Sequence, residues 1–173
     1  RHYSIASSPA EDPLKVGLCV AVEERVTPYG RRRQGLCSSY LANLQAGEEV
    51  IMWLRDGSFS DPGPGTPVIM VGPGTGVAPF RGYLEELEVT QRANETWLFF
   101  GHQHQAYDFL YEDELARWSN SKVLNRSDYA WSRDQDHKVY VQNCIAENAT
   151  DLWAWMQRDA VVYVCGDATG MAP

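Results

Sequence analysis

The sequence has no long hydrophobic run and no excess of positive charge. No apolar run approaches the roughly 18 to 20 residues that a membrane-spanning helix needs, and no charged-then-apolar leader stands at the start. The 15 Lys and Arg residues against 23 Asp and Glu give a formal charge of −8, which repels polyanions. We therefore expect no membrane span and no nucleic-acid partner, and any phosphate group must bind at a local site.

The sequence also lacks closely spaced cysteine pairs, since its cysteines stand far apart at positions 19, 37, 144 and 165. This spacing indicates neither a zinc site nor a disulfide framework, so we predict no metal site and a reducing compartment, the cytoplasm. Apolar residues make up 44% of the chain, which is enough for a packed core. The chain opens at Arg1 rather than at Met and stops at Pro173, where a helix is due to begin, so we interpret it as part of a longer protein.

The first third of the chain has the pattern of β-strands. Strands are predicted at three runs, 1–6, 15–26 and 49–55. Between the last two, residues 35–44 predict a short helix, for which Ser38 or a neighbour is a candidate N-cap. Because three strands are too few to close a barrel, we expect residues 1–62 to be the C-terminal part of an incomplete antiparallel β-barrel.

A segment rich in Gly and Pro, residues 61–67, then interrupts every regular pattern and predicts a domain boundary. After it, short apolar strands are predicted at 68–71, 96–100, 123–130 and 161–165. Helical patterns separate them, with one apolar face at Val77, Phe80, Leu84 and Leu87, another at Tyr107, Leu110, Tyr111, Leu115 and Trp118, and one or two helices within 139–158. This alternation predicts an α/β domain with a parallel sheet over residues 66–173.

The glycine-rich segment 72–76 follows a predicted buried strand and opens a predicted helix. Glycines let backbone N–H groups approach the oxygens of a pyrophosphate, and the positive end of a helix favours its charge. This context predicts dinucleotide binding, although Pro73 and Pro79 distinguish residues 71–80 from the usual Rossmann spacing. A tight strand-to-helix turn without a ligand is the alternative.

A polar segment follows a later strand of the same sheet. It contains a hydroxyl, two cations and an aromatic ring, namely Ser132, Arg133, Lys138 and Tyr140. These groups suit the 2′-phosphate and adenine of a dinucleotide whose pyrophosphate lies on the glycine segment, so we expect NADPH rather than NADH. The alternative is a solvated polar loop.

Two further positions could contribute to a site. Cys165 ends the last predicted strand, and the carboxyl ends of parallel strands are where open α/β sheets bind ligands, although a free cysteine is more often part of the core. On the first predicted strand, Arg1 and Tyr3 share one face by the two-residue period, whereas Ser4 points the other way.

Six motifs together carry a family resemblance. They are Arg-x-Tyr-Ser at 1–4, Gly-x-Cys-Ser at 35–38, Gly-Pro-Gly-Thr-Gly-x-Ala-Pro-Phe-Arg at 72–81, Ser-Arg at 132–133, Lys-Val-Tyr-Val-Gln at 138–142 and Cys-Gly-Asp-Ala-x-x-Met-Ala at 165–172. In this order they resemble the FAD/NADPH module of the diflavin reductases, which is related to plant ferredoxin–NADP reductase. The resemblance covers essentially the whole chain.

Within that family, three segments are most similar to the NADPH-dependent diflavin oxidoreductases of cytosolic iron–sulfur protein assembly. These segments are 1–8, 35–41 and 67–81. The resemblance then implies an anamorsin-type iron–sulfur protein as partner. Microsomal-type NADPH–haemoprotein reductases and sulfite reductase flavoproteins are the alternatives within the family.

The resemblance implies roles on the flavin side of the site. Arg1 would pair with the FAD pyrophosphate, Tyr3 would pack on the isoalloxazine, and Ser4 would sit near flavin N5 and take part in catalysis. The FAD pyrophosphate would also be held at the short helix by Gly35, Cys37 and Ser38.

The resemblance also implies roles on the nucleotide side. Gly74 and Thr75 would hold the NADPH pyrophosphate, while Cys165 and Asp167 would lie beside the nicotinamide as catalytic residues. The adenosine end would be bound by Ser132, Arg133, Lys138, Tyr140 and Gln142.

The function implied by the resemblance is electron transfer. NADPH would pass a hydride to FAD, and FAD would release single electrons to FMN in a domain that precedes this segment in the parent chain. A non-catalytic nucleotide-binding interaction module is the alternative from another functional class.

The sequence departs from the family pattern in two respects. At 101–104 it reads Gly-His-Gln-His where the family has Gly-Cys-Arg, so a phosphate-facing Arg is absent, and we interpret His102 and His104 as exposed loop residues. The family's last strand, final helix and flavin-covering aromatic are also absent, so we expect this segment alone to be catalytically defective. We interpret Arg31–Arg33 as a solvated loop, with contact to an acidic partner domain as the alternative.

Overall fold

The structure is a computed structural model that describes residues 1–166. In chain order, its strands and α-helices are β1 (Glu24–Val26), β2 (Arg32–Gln34), α1 (Leu36–Asn43), β3 (Val68–Val71), α2 (Ala78–Thr90), β4 (Thr96–His102), α3 (Gln105–Asp108), α4 (Glu112–Ser121), β5 (Arg126–Trp131), α5 (Val141–Glu147), α6 (Ala149–Met156) and β6 (Val161–Val164). A 3₁₀ turn, Gly74–Val77, leads into α2.

The second part of the described chain is built on a parallel sheet of four strands in the order β5-β4-β3-β6. β3 is central: Val68 pairs with Thr96 of β4 on one side and with Val161 of β6 on the other. All of β3 is buried. A strand covered on both faces must be apolar along its whole length, which explains the unbroken apolar run of this segment. The predicted α/β domain with a parallel sheet is therefore confirmed, although its third strand begins three residues later than predicted.

The two faces of the sheet carry separate hydrophobic clusters, since alternate residues of β3 point to opposite sides. One cluster joins Val68 and Met70 to α2 and α4, and it includes Phe80, Leu84, Leu115 and Trp118. The other joins Ile69 and Val71 to α5 and α6, and it includes Trp97, Phe99, Val141 and Cys144. The apolar face predicted for α2 is buried throughout: Val77, Phe80, Leu84 and Leu87.

The helix predicted around 107–118 is interrupted. Tyr111 has a left-handed backbone (φ 61°) between α3 and α4, and its carbonyl accepts the Leu115 N–H at 2.9 Å. The interruption allows the Phe109 ring to stack on Phe100 of β4 at 5.8 Å, and such packing offsets the cost of the unusual backbone. Tyr107, predicted on the buried face, is 77% exposed.

The predicted antiparallel unit is confirmed only in part. β1 and β2 form a two-stranded ribbon, whereas the strand predicted over 1–6 is reduced to a single bridge between Ile5 and Leu18. Residues 49–55 form no strand in the described chain, and Ile51 is 96% exposed. An alternating segment forms a strand only where neighbouring strands supply hydrogen-bond partners, and within residues 1–166 the strands do not close a barrel.

The short helix is present as α1, but its N-cap differs from the prediction. Gly35 occupies the N-cap position, and Ser38 lies one turn inside the helix. The buried Ser38 hydroxyl donates to the Gly35 carbonyl and accepts the Glu23 N–H, each at 3.2 Å. This serine therefore ties the first turn of α1 to the residue before β1 instead of capping the helix.

Residues 6–8 pack directly on α2. The Arg81 guanidinium donates to the Ala6 carbonyl at 2.6 Å, and the Ser8 N–H donates to the Glu85 carboxylate at 2.8 Å. A Cβ atom at Gly82 would lie 3.2 Å from the backbone of Ser7, so the two segments are in close contact. Within residues 1–166, no helix has the length and apolar character to cross a membrane.

Candidate nucleotide and flavin site

The carboxyl ends of the four parallel strands meet at one edge of the sheet, which is where open α/β sheets bind ligands. The glycine segment 72–76 follows β3, and Cys165 follows β6. His102 ends β4, and Ser132 follows β5. The sequence-predicted residues of the nucleotide side that lie in the described chain are therefore concentrated on this edge and the loops beside it.

The glycine segment is shaped by contacts that exclude side chains. A Cβ at Gly72 would lie 2.7 Å from the Phe80 ring, and one at Gly76 would overlap the carbonyl of Cys165, 2.7 Å from its carbon. Gly74 has φ +56°, which disfavours any other residue. The backbone can thus approach the end of β6 closely and turn at once into α2.

This geometry fits a pyrophosphate group. The first N–H groups of a helical turn have no intrahelical partner, and here the turn begins at Gly74 and Thr75. Both residues are half-buried, and within residues 1–166 neither N–H donates to a backbone carbonyl outside the regular elements. The segment could hold a pyrophosphate through backbone donors, as the glycine pattern predicts.

The described chain brings two predicted catalytic residues together. The Ser4 hydroxyl oxygen lies 3.8 Å from the Cys165 sulfur, which is within reach of a weak hydrogen bond. The Cys165 N–H donates to the Val71 carbonyl at 2.9 Å, which fixes the cysteine beside the glycine segment. Cys165 is half-buried, so it is not a fully enclosed core residue. Asp167, the third predicted catalytic residue, lies outside the described residues.

The residues predicted at the adenosine end follow β5. The Ser132 N–H donates to the His102 carbonyl and the Arg133 N–H to the Gln103 carbonyl, each at 2.9 Å. Arg133 and Lys138 are exposed, and neither has an ion-pair partner within residues 1–166. Both cations are therefore available to an anionic ligand. Tyr140 and Gln142 are exposed at the start of α5.

Two histidines interpreted as exposed loop residues have defined partners. His104 Nδ1 lies 2.8 Å from Asp134 Oδ1, and the Gln105 N–H donates to the other oxygen of that carboxylate at 2.8 Å. These contacts hold the pKa of Asp134 below its usual value, with the Gln105 N–H as the larger cause and His104 next. His102 Nδ1 lies 3.3 Å from Asp108. Sequence spacing gave no sign of the His104–Asp134 pair, because its members lie on loops after different strands.

The predicted flavin-side residues are more scattered. Gly35 contributes to a cavity of about 550 Å³ beside Arg25 and Arg33, whereas Cys37 is exposed. In the described part of the chain, no hydrogen bond joins Gly35, Cys37 or Ser38 to the carboxyl edge of the sheet.

The first residues of the chain also differ from the prediction. Arg1 is exposed and Tyr3 is half-buried. The strand face that these two side chains were predicted to share does not form, because residues 1–4 lack a strand partner in the described structure.

Comparison with known proteins agrees with the geometry of the carboxyl edge. Residues 70–173 match the family of oxidoreductase NAD-binding domains. The chain belongs to this family. The match includes the glycine segment 72–76, the loop after β5 and the end of β6.

Related proteins extend the similarity over almost the whole chain. The sulfite reductase [NADPH] flavoprotein alpha-component of Cronobacter sakazakii is 49% identical over 175 residues, which cover 99% of this chain. The proteins of the same name from Yersinia pestis and Serratia proteamaculans are 47% and 46% identical over the same share. The chain spans 29% of the length of each of these relatives.

These similarities confirm the prediction of an oxidoreductase that binds a nicotinamide nucleotide. The predicted combination of FAD with NADPH agrees with them, since the family is NAD-binding and the relatives are named as NADPH flavoproteins. The predicted role in iron–sulfur protein assembly receives no support, because the relatives carry the name of sulfite reductase. That name corresponds to one of the alternatives within the family.

Proposed function

We propose that this chain is the NADPH-oxidising, FAD-binding part of a flavoprotein of the sulfite reductase type. The observation that carries the proposal is the contact between Ser4 and Cys165 beside the glycine segment 72–76. It joins the first residues of the chain to the nucleotide edge of the sheet. A nicotinamide bound at that edge would lie beside the segment to which we assign the flavin.

The nucleotide is held along the carboxyl edge of the sheet. The N–H groups of Gly74 and Thr75 bind the pyrophosphate, and the exposed cations Arg133 and Lys138 bind the 2′-phosphate together with Ser132. Tyr140 and Gln142 complete the adenosine end. Charge-assisted hydrogen bonds to the 2′-phosphate then favour NADPH over NADH.

On the flavin side, Tyr3 packs against the isoalloxazine and Arg1 pairs with the FAD pyrophosphate. Gly35, Cys37 and Ser38 hold the same pyrophosphate at the start of α1. Support for this half of the proposal is the closeness of Gly35 to the cavity lined by Arg25, Arg33 and Glu23, since an anionic group there would face two cationic side chains against one carboxylate.

When bound, the two cofactors carry out hydride transfer, in which one proton and two electrons pass together from the nicotinamide to the flavin. The residues of this chain orient the reactants. Cys165 presents its thiol at the edge of the sheet, and the Ser4 hydroxyl 3.8 Å away holds that thiol in place. Both side chains would exclude water from the place where the reactants bind, and Asp167 completes the predicted catalytic set.

The domain organisation is part of the same proposal. Residues 1–62 form the end of an FAD-binding domain and residues 66–173 an NADP-binding domain, with FMN in a separate domain of the parent chain. The four cysteines are all free, which suits a cytoplasmic location. Single electrons then pass through FMN to the remaining component of a sulfite reductase.

The proposal is tested with the full-length protein. We expect a yellow preparation whose flavin is bleached by NADPH without oxygen, and sulfite-dependent NADPH oxidation once the remaining sulfite reductase component is added. A colourless protein that binds nucleotide would instead indicate a non-catalytic module. Electron delivery to an anamorsin-type iron–sulfur protein, without sulfite-dependent turnover, would restore the iron–sulfur assembly role.

A further inference from the structure

We propose that His104 and Asp134 are positioning residues that set the preference of the nucleotide site for the 2′-phosphate. Together they hold the loop of residues 132–138, the Arg133 loop, against the end of β4. The inference rests on the proposed function, because it concerns the same nucleotide. It adds a pair that makes no predicted contact with the nucleotide itself.

Four hydrogen bonds join the Arg133 loop to residues 102–105. Two are between backbones, from Ser132 N–H and Arg133 N–H to the carbonyls of the β4 end, each 2.9 Å. Two involve the Asp134 carboxylate, which accepts the Gln105 N–H at 2.8 Å and meets His104 Nδ1 at 2.8 Å. Asp134 is thus fixed by both carboxylate oxygens, immediately after the arginine.

The rest of the loop has few constraints. Residues 133–138 are exposed and contain turns and bends without a helix or strand. Ordering such a backbone costs conformational entropy, so a fixed point beside Arg133 lowers the cost of presenting its guanidinium to a ligand. The Asp134 carboxylate supplies that fixed point.

The pair also controls charge. A free carboxylate next to Arg133 would compete with a phosphate for the guanidinium. Binding to His104 and to the Gln105 N–H turns the Asp134 carboxylate toward the neighbouring loop. His104 is itself fixed, because its backbone N–H donates to the Asp108 carboxylate at 2.9 Å and its ring centroid lies 5.2 Å from that of Tyr107.

The experiment measures binding of NADP⁺ and NAD⁺ by calorimetry to the full-length, flavin-loaded protein. For His104→Ala we expect the dissociation constant of NADP⁺ to rise about tenfold, because Arg133 would lose much of its charge-assisted contact with the 2′-phosphate. The dissociation constant of NAD⁺, which lacks that phosphate, should stay within about twofold of its original value. His104→Asn keeps a side-chain N–H donor toward Asp134 and should restore most of the affinity. Hydrogen exchange at the amides of Ser132 and Arg133, which donate to the carbonyls of residues 102 and 103, should be faster in His104→Ala.

His137→Ala is the matched control, because this histidine lies in the same loop and makes no hydrogen bond within residues 1–166. It should change neither dissociation constant. Equal losses for both nucleotides in His104→Ala, or unchanged exchange at the two amides, would overturn the inference. Arg133→Ala separates this from the proposed function: if Arg133→Ala leaves NADP⁺ affinity unchanged, the assignment of the 2′-phosphate site itself fails.

Discussion

Ser4 and Cys165 are 161 positions apart in the sequence, yet the hydroxyl oxygen of one lies 3.8 Å from the sulfur of the other. The contact depends on two neighbouring features. Cys165 is held by its N–H bond to Val71, and the nearby segment of residues 6–8 is fixed on α2. The first residues of the chain therefore reach the nucleotide edge by way of α2.

Replacement of Cys165 by alanine should slow flavin reduction by NADPH about tenfold in the full-length protein, which corresponds to about 1.4 kcal/mol of lost transition-state stabilisation. The thiol orients the reacting ring, so the rate should change more than the affinity for NADPH. Stopped-flow flavin reduction and equilibrium binding measure the two effects.

Thermal unfolding of the same variant provides the control. If Cys165 were only a packing residue, the substitution would lower the melting temperature and leave the rate of flavin reduction per folded molecule unaltered. An unchanged rate would contradict a catalytic role for this cysteine. Ser4→Ala, which removes the neighbouring hydroxyl, should produce a smaller effect of the same kind.

Arg133→Ala should weaken NADPH binding by roughly 1.5 to 3 kcal/mol, because a charge-assisted hydrogen bond to the 2′-phosphate is lost. NADH lacks that phosphate, so its affinity should hardly change. Titration of the full-length protein with each nucleotide measures both. Equal losses for the two nucleotides would refute the assignment of Arg133 to the 2′-phosphate.

Gly76→Ala should destabilise the protein by roughly 1 to 3 kcal/mol or more, because a Cβ there overlaps the backbone of Cys165, which cannot yield like a flexible side chain. Chemical denaturation measures the change. Gly57→Ala is the control, since the nearest atom to its Cβ would be 3.9 Å away. Similar unfolding free energies for the two variants would contradict close packing of the glycine segment on β6.

Arg81→Met should destabilise the protein by roughly 2 to 3 kcal/mol, since it leaves two partly buried carboxylates without their cation. Arg81 contacts Glu114 at 2.6 Å and Glu85 at 3.1 Å, and the two carboxylates raise the pKa of its guanidinium despite the opposing effect of burial. Denaturant unfolding of the full-length protein measures the loss.

The comparison for Arg81 is Arg158→Met, at an ion pair with Glu95 whose side chains are 48% and 51% exposed. An exposed pair contributes about 0 to 1 kcal/mol, so this variant should unfold almost like the unsubstituted protein. A loss of unfolding free energy in Arg158→Met as large as that in Arg81→Met would contradict the idea that burial makes the Arg81 ion pairs the more stabilising ones.

The parallel sheet could be predicted because its two central strands, β3 and β4, are buried on both faces. The apolar run of β3 and the spacing of Phe80 and Leu84 on α2 each specify burial without reference to distant residues. The antiparallel part could be predicted less well. Alternation of apolar and polar residues shows which side chains share a face, but a strand forms only where a neighbouring strand pairs with its backbone. The break at Tyr111 follows from the packing of Phe109 on β4, which no local pattern reveals.

The candidate site could likewise be predicted only in part from the sequence. The glycine segment and Cys165 could be placed from the sequence, because the strand before each of them fixes which edge of the sheet it reaches. The pairing of His104 with Asp134 could not, because it depends on β4 and β5 being neighbours in the sheet. The residue-by-residue roles of the site remain predictions.

Anaerobic mixing of the full-length, flavin-loaded protein with NADPH is the decisive measurement for the proposed transfer of a hydride to the flavin. We expect the flavin absorbance to bleach rapidly with NADPH and much more slowly with the same concentration of NADH. A flavin that stays oxidised while NADPH binds, or bleaching at equal rates with both nucleotides, would contradict it.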